Sequence, residues 1–203
     1  TLLEKLTAEI PEMPEAKILR YQSEYQLSRY DATVLAEEKE TALYFESLLS
    51  AAKASSAEQL YAIAKASANW LMGPLRSYLN ENHLQLHQLQ LSPNQLIRLI
   101  QLVENNQVNF SVASSKLLQA LIRQPATDPL VLAEQLNLLQ NTDTATLDAW
   151  VQQVLTQMPD KVAEYRKGKK GLLGLFVGEV KKLSKGKADP KLTNDLLLQK
   201  LNS

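Results

Sequence analysis

Lysine is the residue whose type and spacing suggest chemistry in this chain. Between positions 161 and 187, Lys161, Arg166, Lys167, Lys169, Lys170, Lys181, Lys182, Lys185 and Lys187 face only Glu164 and Glu179, an excess of seven positive charges. The chain as a whole is neutral, with 22 basic and 22 acidic residues, so this charge is concentrated rather than spread. Dense ammonium groups bind phosphate and position a polyanion without reading its sequence. The residues singled out for that role are Lys167, Lys169, Lys170, Lys181, Lys182, Lys185 and Lys187. They bracket an apolar stretch in which Gly171, Gly174 and Gly178 recur at steps of three and four, the spacing of one helical face. Each glycine costs a helix about 1 kcal/mol relative to alanine. Such a face suits either close packing against another helix or close approach of phosphate or sugar, and both readings stand at this level. A solvated lysine surface is the plainer alternative, and a membrane-surface helix is disfavoured because the glycines thin its apolar side.

Other chemistries find little support. The Gly-Lys pairs at Gly168-Lys169 and Gly186-Lys187 are followed by Lys170 and Ala188, not by the Ser or Thr of a Walker loop. His83 and His87 would share a helical face, but no third ligand is near and the glutamate of a zinc-protease helix is absent, so they read as surface or partly buried imidazoles. Glu37, Glu38 and Glu40 read as a solvated helix face. Serines abound without a Gly-x-Ser-x-Gly turn. No catalytic or metal-binding residue and no cofactor is predicted for this segment. With no cysteine, disulfides and thiolate zinc sites are excluded, in keeping with a reducing, cytoplasmic setting.

The elements that must carry these lysines are helical. Leu, Ala, Gln, Glu and Lys dominate, glycine and proline number six and eight, and no stretch reads as a strand, so the fold class predicted is all-α. Residues 9–13 form an extended entry, and helix starts at Pro14 and runs to about Tyr25. Ser28 or Asp31 caps a short helix. A longer helix follows from about Glu38, with Ala42, Phe45, Leu48 and Leu49 inside. Ser55 and Glu58 have capping-box spacing for a helix from Ala57 to about Asn80, kinked or divided at Pro74. Trp70, Tyr44 with Phe45, and Trp150 read as core. Ser92-Pro93, Asp128-Pro129 and Asp189-Pro190 each place a capping side chain before a proline at a first helical position. Pro159 reads as leading a turn.

Residues 123–128 read as a linker, which divides the chain into a larger helical domain, 1–125, and a small three-helix tail, 126–203. Residues 1–46 carry five basic against ten acidic groups, so charge is polarised along the chain. No apolar run approaches the roughly 20 residues needed to span a bilayer, so no membrane partner is predicted. The opening Thr1-Leu2-Leu3-Glu4-Lys5 suggests a piece of a longer protein.

Five blocks, in order, resemble a known family: residues 9–17, 25–32 with Val34-Leu35, Tyr44-Phe45-Glu46, Ala68-Asn69-Trp70-Leu71, and 165–190. Together they resemble the C-terminal helical and tail region of the B subunit of aspartyl/glutamyl-tRNA amidotransferase. The last block alone is shared with stand-alone YqeY-like proteins. The resemblance implies a parent enzyme that uses ATP and magnesium, in a cradle domain outside this chain, to convert mischarged Glu-tRNA(Gln) or Asp-tRNA(Asn) to the amidated form. It also implies partners: tRNA, the amidase or A subunit, and the small C subunit of the same complex. The chain itself would hold the tRNA body and contribute no catalytic residue. A stand-alone YqeY-like protein and a subunit-docking module are the alternatives. Residues 108–114, Val-Asn-Phe-Ser-Val-Ala-Ser, depart from the family's Ile-Ser-Gly-Lys-x-Ala-Lys, which removes a glycine and two lysines. Glu179 and Lys181 replace the usual Gln and Met.

Overall fold

The computed structural model describes residues 12–141 and 143–202, so the chain start and residues 9–11 of the extended entry lie outside it. The helices are α1 (Pro14–Tyr25), α2 (Arg29–Glu37), α3 (Lys39–Ala52), α4 (Ala57–Trp70), α5 (Arg76–Glu81), α6 (Pro93–Glu104), α7 (Phe110–Val112), α8 (Leu118–Arg123), α9 (Pro129–Gln135), α10 (Thr144–Gln157), α11 (Pro159–Arg166), α12 (Leu173–Leu183) and α13 (Pro190–Asn202). Among the described residues, β-structure is limited to two single-residue bridges, Val108 with Leu139 and Asn141 with Ala188. The all-α expectation therefore holds.

Helix starts follow local chemistry. The Ser28 hydroxyl accepts from the Asp31 amide at 3.0 Å, which makes Ser28 the cap of α2. Proline stands first in α6, α9 and α13, where its missing N–H costs nothing. The capping of α4 is shifted one residue from expectation. The Ser56 hydroxyl accepts from the Gln59 amide, and the Gln59 side chain accepts from the Ser55 amide, with Ser56 in the extended backbone of a cap. At Pro74 the expected long helix is divided into α4 and α5 while the backbone stays helical. The backbone widens into a π turn, Leu71–Leu75, between α4 and α5, which accommodates a residue that cannot donate to the helical ladder.

Contacts group the chain into two units, Thr1–Ile100 with Leu121–Ala126, and Gln101–Ala120 with Thr127–Ser203. The sequence boundary at 125 falls beside the last crossing, but residues 101–120 pack with the tail rather than with the helices before them. Helices α6 and α8 run through the other crossings without a break, so no loop signal marks them.

In the first unit α1 packs on α2 and α4, and α3 packs on α2 and α4. Tyr21, Leu35, Phe45, Leu48 and Trp70 are essentially inaccessible, and Tyr21, Tyr25 and Phe45 meet as tilted or edge-on rings at 5.2–5.9 Å. Tyr44 is half-buried, with its hydroxyl donating to the Leu91 carbonyl at 2.9 Å.

In the second unit four helices, α10 to α13, enclose one core of Leu147, Val151, Val154, Tyr165, Phe176, Val180, Ala188, Leu197 and Leu201, with Trp150 packed against it. With α9, residues 126–203 hold five helices against the three expected for the tail, and one of the additions, α11, replaces the turn expected at Pro159. Its fixed φ is already helical, and Tyr165 supplies the α11 anchor. Burying a side chain such as Phe176 completely contributes about 2 kcal/mol.

Candidate nucleic-acid interface

Phe176 and Val180 are the buried face of α12, with Leu173 and Leu183 half-buried beside them. That orientation leaves Gly174, Gly178, Lys181 and Lys182, related by steps of three and four, on the outward face. A Cβ at Gly174 or Gly178 would meet nothing within 4 Å, and the same holds for Gly171, which lies in the one-turn helix Lys170–Leu172 ahead of α12. Of the two readings of these glycines, close packing against another helix is not made among the described residues. Their face is open instead, because the core contacts are made from the other side of α12.

The seven predicted lysines sit at the two ends of α12. Its 11 residues separate them by about 16 Å along the axis. Lys167, Lys169 and Lys170 occupy the turn that leads in, where Gly168, at φ 112°, supplies a backbone conformation that side chains resist. Lys181 and Lys182 close the helix. Lys185 and Lys187 flank Gly186, at φ 80°, in the turn that leads out. All are exposed except Lys187, which is half-buried.

Their ammonium groups are not equivalent. Lys169 and Lys161 both pair with Glu164, at 2.9 and 3.2 Å. The hydrogen bond from Lys169, and after it that from Lys161, holds the Glu164 carboxyl below the usual glutamate range. Lys182 pairs with Glu179 at 2.6 Å, and Lys170 lies 4.2 Å over the Tyr165 ring. Among the described residues, no carboxylate lies within ion-pair reach of Lys167, Lys181, Lys185 or Lys187. The Glu164 and Tyr165 contacts are not among the features that the sequence alone picks out. The Lys161–Glu164 pair has i, i+3 spacing and was open to that reading, whereas the other two depend on the turn at Gly168.

The turn after α12 is held firmly. The amides of Lys185, Gly186 and Lys187 donate to the carbonyls of Lys182, Lys181 and Ser184 at 2.8–3.1 Å. The buried Ser184 hydroxyl accepts from the Ala188 amide.

The other sequence candidates are not brought together. His83 has a left-handed backbone, φ 54°, and His87 lies in the short turn Leu86–Gln88, so they share no helical face. The helix α5 ends at Glu81, before either histidine. His87 Nδ1 is 3.3 Å from Glu40. Glu37, Glu38 and Glu40 line a cleft of about 200 Å³ with Leu71, Met72 and Leu75. Among the described residues no three His, Asp or Glu side chains are grouped as metal ligands, and no helix is long and apolar enough to cross a membrane.

Comparison with known proteins agrees with the five sequence blocks. A family model described as "GatB domain" matches residues 44–201. The chain is 42% identical over 195 residues to a Thermosynechococcus vestitus protein named as the B subunit of aspartyl/glutamyl-tRNA(Asn/Gln) amidotransferase, covering 96% of this chain and 37% of that one. Proteins of the same name from Acaryochloris marina and Chlorobium chlorochromatii are 38% and 36% identical, over 99% and 98% of this chain and 38% and 40% of theirs. The chain thus spans under half the length of these relatives, but the family match covers most of the chain itself, and the chain belongs to the GatB domain family.

Proposed function

We propose that this chain is a tRNA-holding part of the B subunit of an aspartyl/glutamyl-tRNA amidotransferase. The observation that carries the reading is a helix whose outward face is glycine and whose ends carry four ammonium groups without a carboxylate partner among the described residues. Phosphates sit against Lys167 at one end and against Lys181, Lys185 and Lys187 at the other. The glycines let the sugar-phosphate chain come close between them. Lys169, Lys170 and Lys182 join once their present partners yield. The span of about 16 Å between the ends covers several nucleotides of backbone.

In this reading the chemistry of the parent ligase, ATP-dependent amidation with magnesium, belongs to the part of the longer protein that this chain does not span. Ammonia comes from the amidase, the A subunit, in a complex that includes the small C subunit, in the cytoplasm. The residues here position the substrate and take no bond-making step.

Replacing Lys167, Lys181, Lys185 and Lys187 together by alanine tests the reading. Each phosphate contact contributes roughly 0.7–0.9 to the slope of log K against log salt, so a glutamine-accepting tRNA transcript should bind with a slope smaller by about 3. A slope and affinity equal to those of the unaltered chain would overturn it.

A further inference from the structure

Lys185 and Lys187 are tied, through backbone alone, to a segment remote in sequence. The Asn141 amide donates to the Lys187 carbonyl at 2.5 Å, and Asn141 bridges in parallel to Ala188. One residue earlier, the Gln140 amide donates to the Gln107 carbonyl at 2.7 Å, and Leu139 bridges antiparallel to Val108. Three short extended pieces, 107–108, 139–141 and 187–188, thereby lie side by side as a clasp. Val108 and Ala188 are buried within it, at 1% and 7% exposure. Beside it, a Cβ at Gly186 would stand 3.9 Å from the Val112 side chain, so the lysine turn also rests on α7. The lysines ahead of α12 have no comparable support. Their turn is fixed by hydrogen bonds to α11, to Gly168 and within itself.

We infer that the clasp is a positioning device: residues 107–112 and 139–141 hold the Lys185–Gly186–Lys187 turn in the orientation that meets phosphate, without touching the nucleic acid. The inference rests on the proposed tRNA-binding role and deepens it. It assigns a purpose to residues 107–112, which carry no lysine of their own. The segment contributes through geometry, with Val108 as its buried contact and the half-buried Val112 beside Gly186.

Asn141→Pro removes the amide that Lys187 accepts from, while leaving every lysine in place. Gln140→Pro removes the bond to Gln107, and Asn141→Ala keeps the backbone amide as a control. In the full chain, with a glutamine-accepting tRNA transcript, both proline variants should lower the salt slope by about 1.5, matching Lys185→Ala/Lys187→Ala, while Asn141→Ala leaves it unchanged. A purely structural clasp would change thermal stability and not the slope. Should the proline variants fail to fold, amide exchange in the unaltered chain provides the measure: tRNA should slow exchange at Gln140 and Asn141. Wild-type slope in the proline variants, or no slowing in the unaltered chain, overturns the clasp if Lys185→Ala/Lys187→Ala still lowers the slope. If that double variant leaves the slope unchanged, the tRNA-binding role of this turn itself is at fault.

Discussion

Arg20 and Lys181 are both cations on helices, in opposite surroundings. Arg20 donates to both oxygens of Glu12, at 2.8 and 2.7 Å, and to Glu46 at 2.6 Å. Glu46 also accepts from the Tyr21 hydroxyl at 2.9 Å and from Lys17 at 3.4 Å. Carboxylates outnumber cations two to one in residues 1–46, and two of the cations, Lys17 and Arg20, fasten α1 to α3 through Glu46. Between residues 161 and 187 the balance reverses, with nine cations against two carboxylates, and Lys181 has no carboxylate within reach among the described residues. A charge neutralised at a half-buried helix contact contributes to folding. A charge left without a counter-ion on a rigid turn contributes little to folding and is available to an external anion.

If that division is right, Arg20→Ala should destabilise the first unit and leave tRNA binding alone. Exposed ion pairs are worth under about 1 kcal/mol, and breaking a fully buried pair costs about 3–5 kcal/mol. The Arg20 side chain keeps about a quarter of its surface, at 28%, so a loss of about 2 kcal/mol is expected. Urea unfolding followed through amide exchange in α1 measures it. A loss near zero would remove the contrast between the two regions.

A smaller effect should appear in acid. Burial alone would raise the Glu46 carboxyl, but hydrogen bonds from Arg20 and Tyr21 outweigh it, and the value lies below the ordinary 4.5. Glu12 is lowered chiefly by its hydrogen bond from Arg20. Both groups have folded values below their unfolded ones, so the stabilisation is complete above about pH 4.5 and is lost as pH falls through the depressed values. The first unit should therefore weaken below pH 4.5, and Glu46→Gln should flatten that decline. An acid limb unchanged in Glu46→Gln would show that the network does not carry it.

Much of this contrast is legible in the order of residues. The lysine excess, the proline-led helix starts and the Ala42, Phe45, Leu48, Leu49 stripe are local patterns, and local patterns survive folding. The Arg20 network was not legible, because Glu12 and Glu46 lie 8 and 26 residues away and nothing in spacing couples them. The clasp was hidden for the same reason: its bonds are between backbones, which carry no residue signature. The grouping of 101–120 with the tail was masked because α6 and α8 run uninterrupted through the crossings. For the glycines, sequence established the face but not its occupant. Spacing says which residues align, whereas only packing says that the core is on the other side.

The smallest effect separates two meanings of a lysine–glutamate contact. Lys182 and Glu179 are one turn apart on α12, with the Lys182 side chain 75% exposed, a pair worth about 0.2–0.5 kcal/mol. If Glu179 merely neutralises Lys182, Glu179→Gln frees a fifth ammonium group and removes a negative charge facing the phosphates. Affinity for the tRNA transcript should then rise by up to about threefold, with the salt slope steeper by less than about 1. If Glu179 instead orients Lys182 as Glu12 and Glu46 orient Arg20, the same change lets the lysine wander and affinity falls. A rise would mean that the two carboxylates between residues 161 and 187 temper a surface that is otherwise free to bind. A fall would mean that both regions fasten their cations alike, and that the difference between them lies in number rather than in kind.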